Sequence, residues 1–275
     1  MKRRRIFQRQ ATAPGGWGRA VLHAGAAIVA LLSIWEASVR IWHPARHVWP
    51  ALSDVAGVFA TKGPTLLANA WATAYETLIG FGLALIVGVA GGIVMNSSRR
   101  LAQALWPSIL FAQMTPKIAL APLLLAWFGF GLIPKIIIAF LITFFPILLS
   151  TYTGLRAVEP EKEELARSMR AGPVAYLLRF AFPSALPFIF SGARISITLA
   201  VIGAIVAEFV GADKGLGQLL LQSATNLDTP LLIAAVLLLG SMGVALYGAV
   251  LLAEYLFIPW HISQRGGDRV AAGEI

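Results

Sequence analysis

Two ionisable residues sit inside apolar stretches of this chain: Lys117, between Pro116 and Pro122, and Glu208, in Ala207-Glu-Phe209. A charge in such surroundings needs a partner or a polar cavity to offset its lost hydration. Together with Gln113 and Thr115, the two line a polar route through the chain; the alternatives are that each snorkels or that they form a structural ion pair with each other. Arg194 poses the same problem, since a bare cation in lipid costs roughly 2.5–3.5 kcal/mol; it must snorkel, pair or face water. Other chemistry is sparse. The four histidines, His23, His43, His47 and His261, have no carboxylate at metal-ligand spacing, and Pro44 interrupts the one i, i+4 pair. There is no cysteine, no HExxH and no GxSxG. The glycine-rich stretch from Gly211 to Gly217 lacks the Lys-Ser or Lys-Thr of a phosphate loop. No catalytic residue, metal site or cofactor site is therefore expected in this chain, and a nucleotide driving it must sit on another polypeptide.

The most informative polar segment is Glu159-Pro-Glu-Lys-Glu-Glu-Leu-Ala-Arg-Ser-Met-Arg170. Pro160 suits a first helical turn, Glu161, Glu163 and Glu164 lie near the positive end of the dipole, and Arg167 and Arg170 near the negative end. Ala171-Gly172-Pro173 should stop this helix, and a second short one is expected over residues 174–182, ahead of Pro183. Leu165, Met169, Tyr176 and Phe180 would share one face if the two were continuous. Such a pair of helices, apolar on one side and charged on the other, reads as a docking element.

The elements that must hold these residues follow from composition. At 58% hydrophobic and 13% charged, with a mean hydropathy of +0.76, the 275 residues carry more apolar surface than a water-soluble globule can cover. Six apolar runs, at about residues 20–42, 78–95, 105–128, 133–153, 185–210 and 231–257, are each long enough to cross a hydrocarbon core. They must be helices, because lipid offers no partner to an open backbone. Residues 65–77, interrupted by Asn69, Thr73 and Glu76, form either an interfacial helix or an extension of the second span. The chain divides into a basic tail at 1–19, a membrane domain at 20–258 with its polar loop near 154–184, and a short tail at 259–275.

The net charge of +9 is spread between apolar runs, which argues for membrane topology and against nucleic acid. Fifteen Lys and Arg fall on the side of the termini and the 154–184 loop; the opposite side carries Arg46, Lys62, Lys135 and Lys214. The positive-inside rule places both termini in the cytoplasm. Pro116, Pro122, Pro146 and Pro187 are expected to kink their helices, and Gly88, Gly91, Gly92, Gly240, Gly243 and Gly248 to allow close packing or hinge motion.

Glu164-Leu165-Ala166, followed nineteen residues after the glutamate by Pro183, resembles the EAA loop of binding-protein-dependent ABC importer permeases. In that pattern the Gly position is held here by Arg170, with Gly172 two residues later, and Phe180 and Phe182 stand at the two apolar positions before the proline. Further likeness lies in Gln113-Met-Thr-Pro-Lys-Ile-Ala-Leu-Ala-Pro122, Phe144-Phe-Pro146, Ala207-Glu-Phe209 and Gly215-Leu-Gly217, and is strongest to the branch handling nitrate, sulfonates, taurine and pyrimidine-type thiamine precursors. Within it, permeases for hydroxymethylpyrimidine or riboflavin look most alike, and Glu76 stands where many members carry Arg. The resemblance implies an all-α, six-span type I ABC importer fold in the bacterial inner membrane. It also implies two ATP-binding subunits, a periplasmic or lipid-anchored solute-binding protein and a second permease copy. Glu163, Glu164, Leu165, Ala166, Arg167, Met169 and Gly172 would then couple to the ATPase. The alternative is a secondary transporter driven by an ion gradient, which also needs several spans and intramembrane charges.

Overall fold

The structure, a computed structural model, describes residues 16–259. The two ends of the chain, including most of the basic tail and Arg265 and Arg269, lie outside the described residues. Ten α-helices follow one another, with no strand among the described residues. Five are long and apolar enough to cross a membrane: α1 (Gly16–Trp42), α2 (Leu52–Asn96), α5 (Leu132–Arg156), α8 (Phe182–Gly211) and α10 (Thr229–Phe257). A sixth apolar segment is broken, and makes a sixth span if its two bent halves cross together. Helices α3 (Arg99–Met114) and α4 (Ala121–Phe128) are joined through a 3₁₀ turn at Lys117–Leu120 and bent by 77°. The break falls at Pro116, which has no N–H to continue the helix and pushes Thr115 into extended backbone. By contrast, α5 and α8 run unbroken through Pro146 and Pro187, so of the four expected kinks only the one at Pro116 is a sharp break.

Residues 65–77 extend the second span. At 1.5 Å per residue the 45 residues of α2 reach about 68 Å, roughly twice the hydrocarbon thickness. The half that begins at Leu52 packs against the short helix α9 (Leu216–Thr225) and the start of α10, around Val55, Val58, Leu66, Leu216, Leu219 and Leu231. At the opposite end of α8 lie α6 (Pro160–Ser168), α7 (Pro173–Tyr176) and a π-helical turn at Leu177–Ala181 that runs straight into α8.

Helix α5 forms the centre of the bundle, packed along both α2 and α8. Its neighbours approach closely because the facing positions are small. On α2, Gly80, Ala84, Gly88 and Gly92 recur every four residues and are all buried; a Cβ at Gly80 would lie 2.6 Å from that of Ala139. On α8, Gly192, Ser196 and Ala200 form a similar stripe, and a Cβ at Gly192 would meet Ser150 at 2.6 Å. Apolar chains in lipid have no hydrophobic drive to associate, so this close contact of backbones is what holds the spans together. Gly240, Gly243 and Gly248 of α10 differ: nothing lies within 4 Å of a Cβ there, so they make no close packing among the described residues.

Helix α1 touches the rest mainly through its last turns. Trp35 Nε1 donates to the Pro50 carbonyl, and Glu36 Oε2 accepts from the Leu52 backbone N–H at 2.8 Å, capping α2 from outside. Three of the cations assigned to the α9 end of the bundle are ion-paired: Arg46 with Asp54 at 3.1 Å, Lys62 with Asp228 at 2.8 Å and Lys135 with Glu76 at 2.7 Å. Through that hydrogen bond Lys62 holds the Asp228 carboxyl below the usual carboxylate range.

Candidate functional site

Helix α6 starts as its sequence dictates, with Glu159 in extended backbone and Pro160 in the first turn. Glu163 is engaged within the loop, pairing with Arg167 at 3.2 Å and lying 3.5 Å from the Tyr176 hydroxyl. Glu164 is exposed and makes no ion pair within the described residues. Ala166 is buried, while Leu165, Met169, Val174 and Leu178 are exposed at this end of the bundle. Tyr176 and Phe180 stack on each other with ring centroids 6.3 Å apart and are half-buried, so the expected single stripe with Leu165 and Met169 does not form. The bend between α6 and α7 separates the two pairs.

The turn after α6 explains the glycine of the EAA pattern. Arg170 has φ of +49°, in the left-handed region, and the Ala171 N–H reaches back to the Ala166 carbonyl at 3.0 Å. A glycine occupies that position freely, whereas a side chain there costs about 1 kcal/mol or more. Gly172 is in ordinary extended backbone with nothing within 4 Å of a Cβ, so it does not replace the turn glycine. Arg170→Gly is accordingly expected to stabilise the loop by up to about 1 kcal/mol. Slower hydrogen exchange at the Ala171 amide would show it; unchanged or faster exchange would refute it.

Lys117 and Glu208 are not paired with each other. Lys117 lies in the 3₁₀ turn of the broken span, where Nζ donates to the Gln113 carbonyl at 2.9 Å and sits 4.9 Å from the centroid of the Phe145 ring. No carboxylate among the described residues comes within ion-pair distance of it. Gln113 is exposed beside it, and Thr115 Oγ1 donates to the Phe111 carbonyl at 2.9 Å. Arg194 resolves its burial by pairing with Glu254 of α10 at 3.4 Å.

Glu208 is enclosed, with 1% of its surface exposed. One carboxylate oxygen accepts from Thr73 Oγ1 at 2.7 Å and the other from the Gly217 N–H at 2.5 Å. The Leu216 N–H donates to Thr73 Oγ1 at 2.8 Å and the Gly215 N–H to Asn69 Oδ1 at 2.8 Å. Three successive N–H groups at the start of α9, whose cap residue Gly215 has no side chain, are thus satisfied by side chains of α2 and α8. A Cβ at Gly215, where φ is +130°, would overlap the Glu208 carboxyl group, and one at Gly217 would lie 2.8 Å from its Oε2. Ala207-Glu-Phe209 and Gly215-Leu-Gly217 are therefore two halves of one contact.

Lys135 completes this cluster. Its Nζ donates to Glu76 Oε1 at 2.7 Å and to the Lys214 carbonyl at 3.3 Å, within electrostatic reach of Glu208. Sequence reasoning placed Lys135 with the loop cations, and assigned no role to Asn69, Thr73 or Glu76. The signal was present in three polar residues, Asn69, Thr73 and Glu76, at helical spacing on a long apolar helix, which marks one wet or bonded face.

The sequence pattern of the family described as "Binding-protein-dependent transport system inner membrane component" matches residues 80–259. The chain is 37% identical over 238 residues to the riboflavin transport system permease protein RibX of Chloroflexus aurantiacus, covering 86% of this chain and 89% of that one. It is 33% identical over 241 residues to the formylaminopyrimidine transport permease protein ThiX of Halalkalibacterium halodurans, covering 85% and 94%. Its backbone is similar to a chain of an amino acid ABC transporter, with a TM-score of 0.59 at 18% identity over 72% of this chain and 97% of that one. A chain of the inward-facing MetNI methionine ABC transporter is also similar, with a TM-score of 0.55 at 22% identity over 68% and 96%. The two solved structures bear on the fold, and the sequence matches on the family. With five or six candidate membrane spans and a family match over most of its length, this chain belongs to the binding-protein-dependent inner-membrane components, the permease subunits of ABC importers.

Proposed function

We propose that two copies of this permease form the pathway for a small polar solute, with two ATP-binding subunits docked on the 157–181 loops and a solute-binding protein delivering at the α9 end. The observation that carries this reading is the exposed, unpaired Glu164 on a short helix among exposed Leu165 and Met169, at the end of the bundle where basic residues gather. That end faces the cytoplasm, with both termini on the same side. ATP and its magnesium ion bind the partner, because this chain has no phosphate loop. The solute passes the broken span, where the 3₁₀ turn and extended Thr115 leave backbone polar groups unpaired by a helix and Lys117 offers a cation without a carboxylate. The relatives named for riboflavin and formylaminopyrimidine transport favour a heteroaromatic solute with electron-rich oxygens or nitrogens. Lys117 above the Phe145 ring suits such a solute, and equally an anion such as a sulfonate.

The test is co-expression with a nucleotide-binding subunit, copurification, and uptake in vesicles. Uptake is expected only when ATP is supplied on the face bearing the 157–181 loop and solute on the face bearing α9. Lys117→Met should lower uptake about tenfold at unchanged assembly, as expected for losing one charged contact of about 1.4 kcal/mol or more. Full uptake by Lys117→Met would remove that residue from the pathway. Uptake with ATP on the opposite face would invert the orientation.

A further inference from the structure

The cluster around Glu208 brings together groups that local sequence keeps far apart: Asn69, Thr73 and Glu76 from α2, Lys135 from the first turn of α5, Glu208 from the last turn of α8, and the N–H groups of residues 215–217. We propose that this cluster is a latch which fixes α9 and the 212–217 loop over the α9 end of the bundle, and that Glu76 and Lys135 are its positioning residues.

The geometry gives each member a distinct task. Glu208, Thr73 and Asn69 cap α9, so moving α9 away breaks at least three hydrogen bonds together. Lys135 links α5 to α2 through Glu76 and to the loop through the Lys214 carbonyl, while offsetting the charge of Glu208. Glu76 orients the ammonium through one oxygen, and its other oxygen is buried with no hydrogen-bond partner. The ammonium is ion-paired with Glu76 alone, and Glu208 lies beyond ion-pair distance but within its electrostatic reach. The loop's own charged side chains, Asp213 and Lys214, are exposed, and α9 contributes no charge. Apolar residues would seal this site at least as firmly, since buried charges are expensive to desolvate. A charged contact has one property an apolar plug lacks: when it parts, water solvates every group it exposes. The cluster is therefore closed tightly yet opens without leaving apolar surface in water. Resting on the reading of the preceding section, the latch is closed when the α9 end is shut and parts when that end opens to receive solute.

The experiment is hydrogen exchange at the amides of residues 215–217, measured on the full-length permease in nanodiscs. Lys135→Met leaves two buried carboxylates without a cation and should speed exchange at these amides by about tenfold or more, while amides along the α5–α8 interface are unchanged. Adding Glu76→Gln to that variant removes the excess carboxylate and should restore protection, which a variant that merely fails to fold cannot do. No change in Lys135→Met, or no restoration in the double variant, would overturn the latch. For its role in opening, the wild-type complex with its ATPase is compared without nucleotide and locked with a non-hydrolysable ATP analogue. Protection at residues 215–217 should fall in the locked state, and equal protection in both states would overturn that role. If no ATPase copurifies, the proposed function fails while the Lys135 comparison, made on the permease alone, still decides the latch.

Discussion

Glu164→Arg is expected to abolish ATP-driven uptake while the permease remains folded and inserted. Its neighbour Glu163 is committed within the loop to Arg167 and Tyr176, but Glu164 is exposed and free of any ion pair within the described residues. Reversing it therefore breaks no ion pair among the described residues. If the ATPase presents a basic group to this carboxylate, the reversal sets two like charges against each other, which costs several kcal/mol across an interface. At about 1.4 kcal/mol per tenfold, association or coupling should fall by about two orders of magnitude. Copurification with the nucleotide-binding subunit and uptake in vesicles read the two effects separately. Glu163→Arg is the contrast: it breaks the pair with Arg167 inside the loop and should loosen α6 itself. Normal uptake by Glu164→Arg would mean that the docking surface lies elsewhere.

The second large effect concerns packing. Gly92→Leu should prevent the bundle from forming, because even a Cβ there would lie 2.6 Å from that of Thr151 and 3.1 Å from the Leu148 backbone carbonyl. The backbone oxygen cannot rotate away, so α2 and α5 must separate. Overpacking commonly costs about 1–3 kcal/mol per core site, and a leucine facing a backbone belongs at or above the top of that range. Loss of the monodisperse peak in size-exclusion chromatography would show it. Gly240→Leu is the control, since a Cβ at Gly240 meets nothing within 4 Å, and the single-chain fold should survive. A folded Gly92→Leu protein would contradict the close approach of α2 and α5.

How far the site was legible in sequence depended on whether its parts were neighbours in the chain. The α6 loop was readable because Pro160, the acidic first turn and the basic last turn are local signals acting through one helix. Even there, the positive φ of Arg170 emerged only from the structure; the sequence showed a missing glycine and no reason for it. Gly172, two residues later in the sequence, lies outside the strained position, because nearness in sequence is not the same as occupying it. The glycines of α2 and α10 were read alike, as positions for close packing or hinge motion, yet an added Cβ meets close neighbours at Gly88, Gly91 and Gly92 and none within 4 Å at Gly240, Gly243 and Gly248.

Legible in the sequence by itself were the membrane setting, the apolar runs that form its helices and the local helix signals of the α6 loop. Each follows from composition, run length or spacing within one segment, since the bilayer requires long apolar helices whatever their neighbours. Only the tertiary structure decided where Lys117 and Glu208 go: one into a broken span without a carboxylate, the other into the cap of α9. The Glu208 contact joins residues 135 positions apart, and the Asn69 contact to Gly215 joins residues 146 apart. Such pairings depend on how each helix is rotated about its axis and how deeply it sits against the next. Backbone contacts at glycine and alanine set those quantities, and hydropathy along a single span does not encode them.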